Sequence, residues 1–103
     1  MKQICYFERL LDAELFERTL TQDGDIALRR IDRDMTDAVV TDALSKVHGY
    51  HTRGSSRLIP ARFVIDRQFI AKCPNLLAVS TGGAGYDSIN VEDCTEDGIL
   101  VAN

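Results

Sequence analysis

The feature that most constrains the fold is a regular alternation of short apolar runs with segments of helical periodicity. Each run has the length of a strand, and each is separated from the next by a segment long enough for a helix and two turns. This alternation predicts an α/β domain with a parallel sheet and helices on both faces. The predicted strands are residues 3–7, 25–31, 48–52, 76–79 and 99–102.

Capping residues give limits to the predicted helices. A first helix can begin at Asp12 and end at Gly24, and a second can begin at Asp34 or Thr36 and continue to Val47. Two shorter helices are predicted, one capped by Asp66 and ended by Cys73-Pro74, the other from Val91 to Glu96 and closed by Gly98. The second helix has the apolar positions Met35, Val39, Val40, Ala43, Leu44 and Val47. Five strands in this order suggest a three-layer, flavodoxin-like, doubly wound sheet with strand order 2-1-3-4-5.

Size and charge exclude several classes of protein. A chain of 103 residues forms one small domain, which is too short for a complete two-domain nucleotide-dependent enzyme. The net charge of −4 provides no basic surface for nucleic acid or for an acidic membrane. The three cysteines have neither disulfide nor metal spacing, so we expect buried thiols in a reducing, cytoplasmic compartment. No apolar stretch approaches the length of a membrane span.

Two loops of unusual composition follow neighbouring strands of the predicted sheet. Arg53-Gly54-Ser55-Ser56-Arg57 follows strand three, and the glycine-rich segment Gly82–Gly85 follows strand four. Ligands of open parallel sheets bind beyond the carboxyl ends of the strands. Consecutive small residues can direct backbone N–H groups at one anion, and an arginine can add a bidentate contact. A small carboxylate ligand fits both loops, although tight turns and solvated arginines would explain the same composition.

Other kinds of site fit the residues less well. Gly83-Ala84-Gly85 begins a dinucleotide fingerprint, but Ser88 stands where its third glycine belongs and the loop follows the fourth strand. A phosphate-receiver domain needs a carboxylate cluster for Mg²⁺, whereas only Glu8 follows strand one. His48 and His51 are three residues apart on a strand, so they cannot bind one metal together. We expect them, like Asp87, to form structural hydrogen bonds, with Asp87 as an Asx-turn or N-cap residue.

Residues 66–103 carry three linked motifs. They are Pro74-Asn-Leu-Leu, then Gly83-Ala-Gly-Tyr-Asp-Ser-Ile-Asn90, then Gly98-Ile-Leu-Val-Ala-Asn103. The order and spacing resemble the D-isomer-specific 2-hydroxyacid dehydrogenases, including phosphoglycerate dehydrogenases. Arg53-Gly54-Ser55 resembles the family's strand-three loop more loosely. Thr81 stands where phosphoglycerate-oxidising members tend to carry arginine. Asn90 replaces a usual aspartate and can still cap the turn that follows it.

The resemblance implies that residues 1–103 are the N-terminal portion of a substrate-binding domain. It implies that backbone N–H groups of Ala84 and Gly85 bind the substrate carboxylate, that Gly83 shapes the loop, and that Arg53 to Ser55 line the same cleft. The family's catalytic arginine, acid and histidine, and its NAD-binding Rossmann domain, would lie beyond Asn103. The implied parent is a homodimer, paired through that absent domain, which transfers hydride between a D-2-hydroxy acid and NAD.

Two further interpretations remain open on the sequence. The chain can be a standalone flavodoxin-like module that binds a small carboxylate or has a regulatory role, or an α/β interaction domain. The interpretation as part of a 2-hydroxyacid dehydrogenase predicts a coding sequence that continues past Asn103 into a GxGxxG fingerprint. A stop codon there would favour a standalone module. With neither the catalytic nor the cofactor residues present, we expect this chain alone to be inactive.

Overall fold

The sheet of this protein is parallel throughout. The computed structural model describes residues 2–9, 15, 18–19, 21–22, 24–82 and 87–102. Neighbouring strands pair in parallel in the order β2-β1-β3-β4-β5, which confirms the predicted order 2-1-3-4-5. The strands are β1 (Lys2–Phe7), β2 (Ile26–Ile31), β3 (Gly49–Thr52), β4 (Ala78–Thr81) and β5 (Leu100–Ala102).

Three helices and two 3₁₀ turns connect β2, β3, β4 and β5. The helices are α1 (Asp37–Leu44), α2 (Arg67–Ala71) and α3 (Val91–Glu96), and the 3₁₀ turns are Ser56–Leu58 and Ala61–Phe63. The three connections step across the sheet in one direction, so the right-handed crossover rule places α1, α2 and α3 on the same face. Within the described ranges, no helix is both long enough and apolar enough to cross a membrane.

The helix N-termini are capped by side chains whose positions the sequence predicts. Thr36 Oγ1 accepts from Val39 N at 3.3 Å, and Asp66 Oδ1 accepts from Phe69 N at 3.0 Å. Helix α3 is capped by Asn90, so the alternative prediction of Asp87 as an N-cap is wrong. The reason is position: α3 begins at Val91, and only Asn90 lies directly before it.

The connection between β1 and β2 agrees with the predicted first helix where it is described. Residues 15, 18, 19 and 21 are helical. Gly24 has φ +74° and its N–H donates to Thr21 O at 3.0 Å, which is the geometry of a glycine that ends a helix. Asp12, the predicted N-cap of this helix, lies outside the described residues.

Four strands begin one residue away from the predicted start, and two other elements differ by more. Helix α1 ends at Leu44 rather than Val47, and Val39 is 41% exposed because Val40, Ala43 and Leu44 form the buried face. Strand β4 begins two residues later than predicted and continues through two polar residues to Thr81. Its pairing with β3 overrides local composition, since Ser80 pairs with His51 and Thr81 with Thr52.

Alternate residues of the strands point to opposite faces of the sheet, and the two faces differ in burial. The closed face is covered by the helices: the Tyr50 ring packs edge-on against Phe69 of α2 with centroids 5.0 Å apart. The fully buried residues of the strands all lie on this face: Cys5, Phe7, Ile31, Tyr50, Thr52, Val79 and Thr81. The open face is formed by the intervening residues Ile4, Tyr6, Gly49, His51, Ala78, Ser80 and Leu100, none of which is fully buried.

The three cysteines are free and buried, as the sequence predicts. Burial raises the pKa of the Cys5 thiol to about 11 and that of Cys73 to about 12, because the charged thiolate loses its hydration. The pKa of Cys94 is raised for the same reason. Thiols in this state are poor nucleophiles, so these side chains fill the core.

Candidate functional site

The strand-three loop leaves the sheet at its carboxyl edge and is fastened there by side-chain hydrogen bonds. Ser88 is completely buried, and its Oγ donates to Arg53 O at 2.6 Å. Ser55 Oγ accepts from Arg57 N at 3.3 Å and caps the 3₁₀ turn Ser56–Leu58. The backbone at the start of the loop is therefore held in place by hydrogen bonds.

The end of β3 and the loop that follows it contact the two flanks of the glycine-rich segment. On one side, Gly82 N donates to Thr52 O at 3.3 Å, which continues the β3–β4 pairing. On the other side, Ser56 Oγ donates to Asp87 Oδ2 at 3.2 Å. Of the six predicted site residues, Arg53, Gly54 and Ser55 lie at this junction, whereas Gly83, Ala84 and Gly85 lie outside the described residues. Their role in holding a carboxylate stays a prediction.

Glu8, directly after β1, joins this edge into a charged network. Its carboxylate accepts from Arg33 through Oε2–Nε and Oε1–Nη2, both at 2.8 Å. Arg53 Nη1 lies 3.9 Å from Glu8 Oε1, within ion-pair range but without a hydrogen bond. The hydrogen bonds from Arg33 hold the pKa of the Glu8 carboxyl below its usual range, so it is ionised at neutral pH.

The three arginines of residues 53–62 have different surroundings. Arg62 donates to Asp37 Oδ1 at 2.6 Å and to Met35 O at 2.9 Å, and it stacks on Phe63 at 4.5 Å from the ring centroid. It therefore ties the loop to the start of α1. Arg57 is exposed. Arg53 is 23% exposed, and its guanidinium lies beside the Glu8 carboxylate.

Both histidines make the structural hydrogen bonds expected of them. His48 Nδ1 accepts from Gln3 N at 3.0 Å, which requires the neutral tautomer with hydrogen on Nε2. His51 Nδ1 lies 2.7 Å from Ser80 Oγ on the open face. Burial lowers the pKa of His51, so the imidazole is neutral at pH 7.

The described residues do not fit a dinucleotide. Dinucleotide sites place the pyrophosphate at the N-terminus of a helix that directly follows the glycine turn. Here α3 begins at Val91, and it is separated from the glycine-rich segment by Ile89, which forms a parallel bridge with Ile65. Ser88, at the position of the third glycine, is buried and bonded to Arg53 O.

A metal site is not supported by the part of the chain that the structure describes. Within it, no group of three or more His, Cys, Asp or Glu side chains is arranged to hold a metal. Glu8, the one acid that follows strand one as a receiver domain would require, is occupied by Arg33 and Arg53.

Sequence reasoning missed two residues of this edge. The sequence suggests Glu8 only as an acid for Mg²⁺, and Ser88 only as a departure from a glycine fingerprint. Their partners are 25 and 35 residues away, in segments whose composition predicts loops. The available signal was positional: Glu8 follows β1 directly, at the edge where ligands of parallel sheets bind.

Comparison with solved structures identifies the fold. The chain is similar to 3-phosphoglycerate dehydrogenase of Entamoeba histolytica, with 18% identity, TM-score 0.70, and coverage of 98% of this chain and 32% of that one. A 2-hydroxyacid dehydrogenase of Ketogulonicigenium vulgare Y25 has 24% identity, TM-score 0.70, and coverage of 100% and 30%. A glyoxylate reductase of Paecilomyes thermophila has 19% identity, TM-score 0.72, and coverage of 98% and 31%.

These likenesses concern one part of larger proteins, since the chain spans less than a third of the length of each. No curated protein matches the chain. A family model does: residues 5–103 match the catalytic domain of the D-isomer specific 2-hydroxyacid dehydrogenases. Because that match covers almost the whole chain, this protein belongs to the D-isomer specific 2-hydroxyacid dehydrogenase family.

Proposed function

We propose that this chain is the substrate-binding part of an NAD-dependent oxidoreductase that interconverts a D-2-hydroxy acid and its 2-oxo acid. The observation that carries the proposal is the contact of the strand-three loop with the residues that follow the glycine-rich segment. Ser56 reaches Asp87, and Ser88 reaches Arg53 O. These contacts support a cleft in which Arg53 and backbone N–H groups face one small anion.

In this proposal the residues of the chain hold and orient the acid. The guanidinium of Arg53 supplies charge and N–H donors to the substrate carboxylate, and Ser55 lines the cleft. N–H groups of Ala84 and Gly85 complete the cradle, with Gly83 shaping it. When bound by the parent, NAD supplies the hydride acceptor, and the residues described here have no part in holding it. We further propose a reducing, cytoplasmic location, which suits three free buried thiols.

The binding site can be tested on the chain itself by titrating ¹⁵N-labelled protein with glyoxylate and D-lactate. We expect saturable shifts of the amide signals of Arg53 to Ser56, Gly82 and Asp87. The absence of saturable shifts up to the solubility limit of either acid would refute the carboxylate site.

Matched variants locate the contacts. Arg53→Gln removes a charge-assisted hydrogen bond worth about 1.5–3 kcal/mol, so it should weaken binding about 10- to 100-fold. Arg57→Gln changes the net charge equally in the same loop and should leave affinity within about twofold, because rim charges contribute little.

Gly85→Val should abolish binding. Unchanged affinity in Gly85→Val would reduce this glycine to a turn residue.

An activity assay and the downstream coding sequence test the remaining parts of the proposal, and the coding sequence separates it from a standalone carboxylate-binding module. The purified chain with NADH and glyoxylate should show no fall in absorbance at the NADH band, and turnover above the blank would contradict the proposal. Sequencing downstream of the codon for Asn103 should reveal a GxGxxG fingerprint. A stop codon there, together with retained binding, would favour the standalone module.

A further inference from the structure

Glu8 has an unusual backbone conformation. Its φ is +63°, and no other non-glycine residue in the described part of the chain has a positive φ. A residue with a Cβ adopts this region at an energetic cost, and such residues persist where their surroundings determine them. Here the backbone is held on both sides, because Glu8 N donates to Ile31 O at 2.8 Å and Glu8 O accepts from Arg30 Nε at 2.7 Å.

The carboxylate of Glu8 is held as firmly as the backbone. Its side chain is 17% exposed, and Arg33 binds it with both Nε and Nη2. Arg33 Nη2 also donates to Leu58 O at 2.7 Å, so the network extends into the segment that follows Arg53. A carboxylate fixed in this way is a rigid point of negative charge at the carboxyl end of β1.

Arg53 is the second cation on this carboxylate. Its Nη1 lies 3.9 Å from Glu8 Oε1, and no hydrogen bond from its guanidinium to another described residue accompanies that ion pair. A long arginine side chain loses considerable rotamer freedom when it binds a ligand. An ion pair that restricts the side chain while leaving its N–H donors uncommitted would lower that loss.

We infer that Glu8 is a positioning residue, which holds the guanidinium of Arg53 ready for the carboxylate of the substrate. The inference rests on the proposed carboxylate site and adds to it a residue that does not itself touch the substrate. Arg33 fixes Glu8, Glu8 restrains Arg53, and Arg53 meets the ligand. The alternative is that the Glu8–Arg33 ion pair only connects β1 to the segment after β2. In that case the motion and the binding contribution of Arg53 would not depend on Glu8.

The first test needs no ligand. Heteronuclear NOE values of the Arg53 ¹⁵Nε–H group report its fast motion. We expect a clear drop in Glu8→Gln, which keeps the shape and removes the charge. Asp32→Asn is the matched control, because Asp32 is an acid at the same edge that pairs with Arg30 and does not contact Arg53. An unchanged value in Glu8→Gln, or an equal drop in Asp32→Asn, would overturn the inference.

The second test is a double-mutant cycle with glyoxylate as the probe. Arg53→Gln should weaken binding at least tenfold in the native background but less than threefold in Glu8→Gln, because Arg53 is then no longer pre-oriented. Equal fold-changes in the two backgrounds would overturn the inference. If the native chain does not bind glyoxylate at all, the proposed function fails, and the Arg53 relaxation data still decide whether Glu8 restrains this side chain.

Both tests require a native fold, which the dispersion of the amide spectrum checks. If Glu8→Gln loses that dispersion, Glu8→Asp replaces it, since the shorter side chain withdraws the carboxylate from Arg53 while keeping the charge. The same drop in the Arg53 NOE is then expected. A native-like value in Glu8→Asp would overturn the inference.

Discussion

The two faces of the sheet are formed by alternate residues of the same strands, yet their surroundings differ. All the fully buried strand residues lie on the closed face. The aromatic rings of this face contact rings from the connecting segments: the ring centroids of Phe7 and Phe63 are 4.6 Å apart, and those of Tyr50 and Phe69 are 5.0 Å apart. On the open face, Ile4, Tyr6 and His51 are half-buried, and Leu100 is 74% exposed.

The difference shows where the folding free energy of this chain arises. Burial of apolar area is the main stabilising contribution, so the closed face should dominate stability. The open face ends at β5 with the exposed side chain of Leu100, next to Ala78 of β4. Substitutions on adjacent positions of one strand can therefore separate the two contributions with little change in backbone context.

The largest expected effect is that of Phe7→Ala, which should lower the free energy of unfolding by about 3–5 kcal/mol. The ring is completely buried, and the neighbouring elements cannot close a cavity of that size. Tyr6→Ala, one residue away on the open face, should cost about 1–2 kcal/mol because that side chain is already partly in solvent. Urea denaturation measures both; equal losses would contradict the distinction between the faces.

The closed face carries two buried hydroxyl groups, those of Tyr50 and Thr52, that have no hydrogen-bond partner among the described residues. A buried unsatisfied hydroxyl is destabilising, so Tyr50→Phe should raise the free energy of unfolding by about 1 kcal/mol. Tyr6→Phe on the open face is the control and should change stability less, because that ring is only half-buried. A destabilised Tyr50→Phe variant would show that the hydroxyl has a partner.

The pH dependence of the free energy of unfolding tests how far His51, on the open face, is buried. Because burial lowers the pKa of His51, the unfolded chain binds this proton more readily than the folded one. Stability should therefore fall as pH drops below about 6.5, the usual histidine pKa. His51→Gln should flatten the curve between pH 7 and 5, measured by thermal denaturation. An unchanged slope would mean that His51 is as accessible as in the unfolded chain.

The smallest effect is expected at Leu100. Leu100→Ser removes an apolar side chain that is mostly in solvent already, so stability should change by no more than about 0.5 kcal/mol. The matched closed-face substitution is Val79→Ser on the neighbouring strand, which places a hydroxyl at a buried position and should cost far more. A large loss in Leu100→Ser would show that the β5 edge is packed.

The elements and the helix caps could be predicted because their determinants are local, and the strand order was inferred from the strict alternation of strands and helices. The spacing of apolar residues reports the period of each element, and Thr36, Asp66 and Asn90 act on N–H groups only three residues further along. The end of β4 could not be predicted in this way. Ser80 and Thr81 are polar, and they belong to the strand only because β3 lies beside them.

The sequence predicts which loop lies at the candidate site, but it does not predict the side-chain hydrogen bonds and ion pairs there. Arg53, Gly54 and Ser55 follow a strand, so the topology alone assigns them to the carboxyl edge. The bonds of Glu8 to Arg33 and of Ser88 to Arg53 O join segments that are distant along the chain. No pattern in either segment reports its partner, because each residue type is also typical of a solvated turn.

The buried thiols have a practical consequence for measuring the motions of this molecule. Cys5 lies in β1, Cys73 directly follows the last turn of α2, and Cys94 lies within α3. Each can react with an alkylating reagent only when its own part of the structure opens. Labelling followed by mass analysis of the peptides would therefore time the opening of three separate parts of the native chain with no engineered probe.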